Sequence, residues 1–215
     1  ISDIARWKIT QKYLSYKKII LLDRDGVINK RAKKGEYILS WNHFQLIEDN
    51  VKGLKKLADN GFVFIVISNQ ACVGRGLISK ASVDEIHNRM TCALKSRGIS
   101  IIDVFVCPHH WNQKCLCRKP NPGMFIDVSK KYLLRLDRTV YIGDDVRDCL
   151  AAHHAHSHAV FVGEPSELSD LESGYQPIKV SQTIRDAAQC ITDLYASWEL
   201  KCSPIPFPKE LASCL

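Results

Sequence analysis

"IILLDRDGVINK", residues 19–30, decides how the chain is read. Four apolar residues run straight into Asp23 and Asp25, with Arg24 between them and Gly26 just after. On a strand, residues two apart point to the same side. Two carboxylates placed so repel each other unless a cation neutralises them or one keeps its proton. Mg²⁺ is the natural neutraliser, because it prefers oxygen ligands and takes few of them from protein. The plainer alternative is a strand end whose acids face water. Gly26 and a second acidic group at Asp144, Asp145 and Asp148 favour the metal.

Working outward, five short apolar runs rich in Val, Ile and Phe stand at 19–22, 62–67, 101–106, 139–142 and 159–162. Each has the length of a strand. Between them lie stretches with helical spacing, among them 50–60, 80–97 and 123–134. This alternation predicts an α/β fold, a Rossmann-like parallel sheet of five to six strands with helices on both faces. Strands apolar throughout fit burial on both sides. Ligands of such sheets sit beyond the carboxyl ends of the strands. The residues just after the runs are Asp23 and Asp25, then Ser68, Asn69 and Gln70, then Cys107 and His109, then Gly143, Asp144 and Asp145. Polar chemistry therefore gathers at one sheet edge.

The 215 residues suit one domain with small additions. No apolar run approaches the ~20 residues of a membrane helix, and no secretory signal opens the chain. The first residue is Ile1 rather than Met, which leaves room for an upstream segment. A net charge of +7 favours anionic partners without choosing among them. Residues 1–16 are expected to form a short helix, 163–180 a loop or hinge, and the proline-bearing tail from Cys202 an irregular end. The expected division is an N-terminal extension over 1–17, the main domain over 18–200, and the tail over 201–215.

Nine cysteines are an odd number, and three fall within 107–117. That is no secreted disulfide framework; a reduced, cytoplasmic setting with a metal site fits better. "CPHHWNQKCLC" spaces Cys107, His109, Cys115 and Cys117 as two short pairs, a normal tetrahedral Zn²⁺ set. With all four ligands from protein, no position stays open for substrate, so the zinc is expected to be structural. The plainer reading is three unrelated cysteines in a loop.

"DRDGVIN", then "SNQ", "CRKPNPGM" and "GDDVRD", in that order over roughly residues 18–163, resembles the haloacid dehalogenase (HAD) superfamily. Within it the chain is most similar to the D-glycero-D-manno-heptose 1,7-bisphosphate 7-phosphatases. The resemblance implies a HAD fold with minimal cap and a zinc loop at 107–117, with His109 rather than His110 as ligand. It implies a phosphatase in which Asp23 is the nucleophile. Asp25 gives a proton to the leaving alcohol and takes one from the attacking water. Mg²⁺ would be held by the Asp23 carboxylate, the Asp25 backbone carbonyl and Asp144. Ser68 and the Asn69 backbone would bind the phosphoryl oxygens, and Lys119 would add positive charge. Arg118 would meet a distal phosphate or the sugar rim. The chain departs from the family pattern twice, with Ser68 in place of the commoner Thr and Asp145 in place of Lys. Asp144 accordingly ranks above Asp145 as ligand.

Other features carry less. The run Lys30, Arg31, Lys33, Lys34 either attracts a second phosphate or is a solvated loop. His153–His158 reads as solvated or packed side chains, and Cys72, Cys92, Cys149 and Cys190 as small packed residues. The leading function is a Mg²⁺-dependent phosphatase that removes the C7 phosphate of a heptose bisphosphate, feeding nucleotide-activated heptose for bacterial surface glycans. The partner expected is a small sugar bisphosphate, with no nucleic acid, no membrane and a monomeric state. The rivals are a histidinol-phosphate phosphatase, a nucleic-acid end phosphatase and a binding module with a dead site. The nucleic-acid reading lacks an aromatic-rich basic surface identifiable from sequence.

Overall fold

The computed structural model describes residues 5–6, 8–10, 17–33 and 35–200. It contains six parallel strands: β1 Ile19–Leu22, β2 Val63–Asn69, β3 Ile101–Cys107, β4 Val140–Gly143, β5 His158–Val162 and β6 Lys179–Ser181. Their order across the sheet is β3-β2-β1-β4-β5-β6. The helices are α1 Glu48–Asp59, the single turn α2 Ala71–Gly74, α3 Lys80–Lys95, α4 Gly123–Tyr132, α5 Val146–His154 and α6 Ile184–Leu200. β1 lies at the middle of the sheet, so its last residue delivers Asp23 to the point where connections diverge to either side. That switch point is where parallel sheets bind ligands.

The central strands β1 and β4 are buried along their whole length because both faces are covered. Ile20 and Leu22 pack on one face with Leu54 and Leu57 of α1, Met90 of α3 and Ile191 of α6. Ile19 and Leu21 pack on the other with Phe125 and Val128 of α4 and Ala151 and Ala152 of α5. α3 begins at Ser79, whose side chain accepts from the Ser82 backbone N–H, satisfying one of the free donors of the first turn. α5 begins at Asp145, with Asp148 completing a capping box.

The five expected strands are present with ends shifted by one or two residues. The expected loop 163–180 differs at its end, because Lys179 and Val180 belong to β6 and extend the sheet beyond β5. Helix is present at residues 5–6 and 8–10; the rest of the expected helix over 1–16 lies outside the described residues. The tail from Cys202 and Lys34 also lie outside them. Among the described residues, no helix is long and apolar enough to cross a membrane.

Candidate active site and metal-binding loop

A cavity of about 760 Å³ opens at the carboxyl edge of the sheet. It is lined by Asp23, Asp25, Ser68, Asn69, Lys119 and Asp144, among others. The expected residues from four separate segments are thus brought together. Asp23 closes β1. Its Oδ1 accepts from the Arg24 backbone N–H at 2.7 Å and from Lys119 Nζ at 2.9 Å. Lys119 is 2% exposed; its ammonium also lies 2.8 Å from Asp148 Oδ1 as an ion pair and donates to the Ile67 carbonyl at 3.1 Å and the Tyr141 hydroxyl at 2.6 Å. Burial works against the ammonium charge, but Asp148 and Asp23 outweigh it and hold Lys119 above its usual range.

Asp25 sits in a tight turn. The Arg24 carbonyl accepts from Ile28 and Asn29 N–H groups at 2.8 and 3.1 Å, and Gly26 N–H donates to the Asn29 carbonyl. The Asp25 carboxylate accepts from Arg24, from Asn29 Nδ2 at 2.9 Å and from Gln70 Nε2 at 3.0 Å. Burial would raise its pKa, but these donors prevail and hold it below the usual carboxylate range.

The carboxylates that converge on one point are Asp23, Asp144 and Asp148. Asp23 is pushed up to about 7, by burial first and then by Asp148 and Asp25, against the pull of Lys119. Asp144 is pushed up to about 8 by burial, with Asp23 and Asp148 adding to it and Arg31 opposing. Asp144 Oδ1 is buried with no hydrogen-bond partner among the described residues. Gly26 has φ +89°, and a Cβ there would lie 1.3 Å from Asp144 Oδ2. Only glycine lets the turn pass so close to the carboxylate. Crowded acids with an unused oxygen fit a hard divalent cation such as Mg²⁺. Asp145 turns away. Both its oxygens accept from Arg147 at 2.8 Å, and Arg31 lies 3.9 Å away. Where the family pattern more often has Lys, this chain has an acid already neutralised. Arg31 itself pairs with Asp144 and so belongs to the site rather than to a solvated loop; Lys33 lines the same cavity.

Ser68 is 1% exposed and its Oγ accepts from Gln70 Nε2 at 2.8 Å. The Asn69 side chain clasps the Lys119 backbone, donating to its carbonyl and accepting from its N–H, both at 3.1 Å. Arg118 lines the rim, and its Nη1 is buried without a hydrogen-bond partner among the described residues. Sequence reasoning placed Gln70 at the sheet edge without giving it a role, and missed Tyr141 and the part of Asp148 in holding Lys119. Gln70 follows Asn69 at the strand end, and that position was the available signal.

Cys107, His109, Cys115 and Cys117 converge as expected. Cys107 Sγ lies 3.5 Å from Cys115 Sγ and 3.6 Å from His109 Nδ1. Cys117 Sγ lies 3.4 Å from Cys115 Sγ and 3.1 Å from His109 Nδ1. A zinc tetrahedron with Zn–S bonds of about 2.3 Å has edges of about 3.8 Å, so the four atoms stand slightly inside that spacing and fit the metal. Burial and the two neighbouring thiols push Cys117 up to about 12, the strain of a thiol cluster that a cation relieves. The loop rests on its surroundings. Gly74 N–H donates to the Pro108 carbonyl and Gly123 N–H to the Leu116 carbonyl. A Cβ on Gly123 would lie 2.4 Å from that Leu116 oxygen.

The histidine run has other occupations. The rings of His153 and His154 pack edge-on against Tyr175, and His158 lies 5.1 Å from Trp198. Cys72 and Cys149 are buried, but Cys92 is exposed rather than packed, because it falls on the outer face of α3. The cavity mouth holds a feature not identifiable from sequence. The Arg75 guanidinium lies 5.6 Å from the Tyr37 ring and 5.3 Å from the Trp111 ring, joining three segments distant in sequence into a basic, aromatic rim.

Comparison with known proteins agrees with this geometry. The profile describing polynucleotide kinase 3 phosphatase matches residues 18–163. A D-glycero-alpha-D-manno-heptose-1,7-bisphosphate 7-phosphatase of Photorhabdus laumondii is 35% identical over 170 residues, covering 73% of this chain and 91% of its own. One of Mycobacterium bovis is 37% identical over 145 residues, covering 65% and 74%. The crystal structure of the D,D-heptose 1,7-bisphosphate phosphatase of B. bronchiseptica, complexed with magnesium and phosphate, superposes with a TM-score of 0.74 at 28% identity, over 82% of this chain and 98% of that one. On the sheet order, the converging acids and these likenesses, the chain belongs to the haloacid dehalogenase superfamily and, within it, to the heptose 1,7-bisphosphate 7-phosphatases, a family of phosphoric monoester hydrolases.

Proposed function

We propose that the chain hydrolyses the C7 phosphate of D-glycero-D-manno-heptose 1,7-bisphosphate through a phospho-aspartate, as a cytoplasmic enzyme of nucleotide-activated heptose synthesis. The observation that carries this reading is the meeting of Asp23, Lys119 and Asp144 in one cavity whose rim bears further cations. Asp23, Asp144 and the Asp25 backbone carbonyl would hold Mg²⁺, which supplies charge neutralisation between the anionic nucleophile and the anionic phosphate. Asp23 Oδ1 is engaged by two donors, which leaves Oδ2 to attack phosphorus. Lys119 balances charge on the nucleophile and on the transferring group. Ser68 and the Asn69 backbone orient the phosphoryl oxygens. Asp25 protonates the leaving alcohol, then takes the proton of the water that attacks the phospho-aspartate. Its low pKa suits the second task; the arriving phosphate, adding negative charge, favours the proton needed for the first.

Zinc on Cys107, His109, Cys115 and Cys117 would fix the loop that carries Arg118 and Lys119 to the cavity. The domain in this reading spans 18–200. A second reading, a phosphatase of nucleic-acid ends, draws on the Tyr37–Arg75–Trp111 rim and on the matched profile. Steady-state kinetics on both heptose bisphosphate anomers, histidinol phosphate and a 3′-phosphorylated oligonucleotide test both. A kcat/KM highest on a heptose bisphosphate is expected, and a preference for either of the others overturns the assignment.

A further inference from the structure

Arg24, the residue between the two acids, is 1% exposed and is among the largest wholly buried side chains. Its Nη2 donates to both Asp25 oxygens, at 2.9 and 2.8 Å. Its Nη1 lies 2.9 Å from Nε2 of His87, which is 4% exposed on the inward face of α3 among Val83, Ile86 and Met90. A guanidinium has no acceptor and keeps its proton. The contact therefore has one polarity, with Nη1–H donating to the Nε2 lone pair and the imidazole proton on Nδ1. Burial and the Arg24 charge together lower the His87 pKa to about 4, in keeping with a neutral acceptor.

Such a chain of buried polar groups needs a reason. Burying an ion pair is seldom a net stabiliser, and an apolar side chain at position 87 would match its neighbours on α3. What the chain does achieve is geometric. The Asp25 carboxylate is gripped by Arg24 on one side and by Asn29 and Gln70 on the others. Asn29 comes from the same turn as Asp25 and Gln70 from the segment just after β2, whereas His87 ties Arg24 to a sixteen-residue helix in the core. We propose that Arg24 and His87 are positioning residues, a buried relay that fixes the Asp25 carboxyl group at the oxygen it must protonate. The proposal rests on the phosphatase reading above and concerns only the proton-transfer half of the reaction.

Leaving-group chemistry separates this role from general support of the fold. The C7 oxygen of a heptose phosphate leaves as an alkoxide unless it receives a proton. The nitrophenolate of p-nitrophenyl phosphate leaves as a stable anion and needs none. First-turnover release is measured for both substrates by rapid quench and stopped flow, in the parent chain, His87→Leu, His87→Gln and Arg24→Lys, with folding checked by circular dichroism. His87→Leu removes the acceptor and Arg24→Lys removes the fork. Each is expected to slow the heptose substrate by about tenfold or more, a part of the 10²–10⁴ typical of general acid catalysis. Nitrophenolate release should stay within about twofold of the parent. His87→Gln keeps an acceptor oxygen and should recover most of the loss. Equal losses on both substrates, or glutamine no better than leucine, overturn the proposal. If His87→Leu does not fold, Arg24→Lys decides by the same comparison. A parent chain inactive on both substrates refutes the phosphatase reading itself; an active parent whose variants lose equally refutes only the relay.

Discussion

Arg118 and Lys119 are adjacent in sequence and face different tasks, so substituting them one at a time should split selectivity from catalysis. Lys119 reaches inward to Asp23, Asp148, the Ile67 carbonyl and the Tyr141 hydroxyl. Lys119→Ala leaves two buried carboxylates without their cation, a loss of about 3–5 kcal/mol in stability where such pairs have been broken. It should also reduce turnover of every phosphate ester alike. Arg118 stands at the rim with Nη1 committed to no acceptor among the described residues. Its planar fork suits the two oxygens of a distal phosphate. Arg118→Ala should therefore cost the bisphosphate about 1.5–3 kcal/mol, the value of a hydrogen bond to a charged group. That corresponds to about 10- to 150-fold in kcat/KM. p-Nitrophenyl phosphate, which has no second phosphate, should change by less than about twofold, and the melting temperature should barely move. The assay is kcat/KM on both substrates beside thermal denaturation. If Arg118→Ala slows both substrates by the same factor, the division of labour is wrong, and with it the main structural reason for expecting a bisphosphate.

Asp23→Asn should abolish turnover with the circular dichroism spectrum unchanged; activity within tenfold of the parent would remove Asp23 as nucleophile. Purified chain prepared without chelator should contain about one zinc by elemental analysis. Replacing Cys115 and Cys117 with Ser should drop the metal and raise KM more than it lowers kcat. Magnesium should stabilise the chain more at pH 8 than at pH 5. Asp23 and Asp144 sit at about 7 and about 8 against an ordinary 3.8. The metal-free fold thus holds more protons than the unfolded chain between about pH 4 and 8 and loses stability as pH rises through that window. The cation binds the deprotonated carboxylates and restores it; a Mg²⁺-induced rise in melting temperature that is the same at both values would contradict this.

Much of this was legible because a parallel sheet writes itself plainly. Strands such as IILL and FIVI are buried on both faces and read as continuous apolar runs, and their carboxyl ends mark the site. β6 was not legible, since Lys179–Ser181 is short and carries no apolar run. α6 could have been found, as Ile184, Ala187, Ala188, Ile191 and Tyr195 recur at helical spacing. Asp23, Asp25 and Asp144 came from position at the sheet edge. The partners that hold them did not. His87 lies 63 residues from Arg24 and Tyr141 lies 22 from Lys119, and on their own segments both look like ordinary packing residues. Likewise, nothing in local sequence says that Tyr37, Arg75 and Trp111 share one rim.

The clasp of Asn69 on the Lys119 backbone and the close seat of Leu116 on Gly123 have a practical consequence for anyone exchanging parts between relatives. The cysteine-bearing loop resembles a removable module, bounded by its own cluster of three cysteines and a histidine and exposed at its tip. Past its C-terminal end it is spliced first into the lysine beside Asp23 and then onto the first residue of a helix that admits no side chain there. A graft cut at residues 107 and 117 would import the ligands and lose the registration. The smallest transplantable unit runs from Cys107 through Gly123 and travels with Asn69.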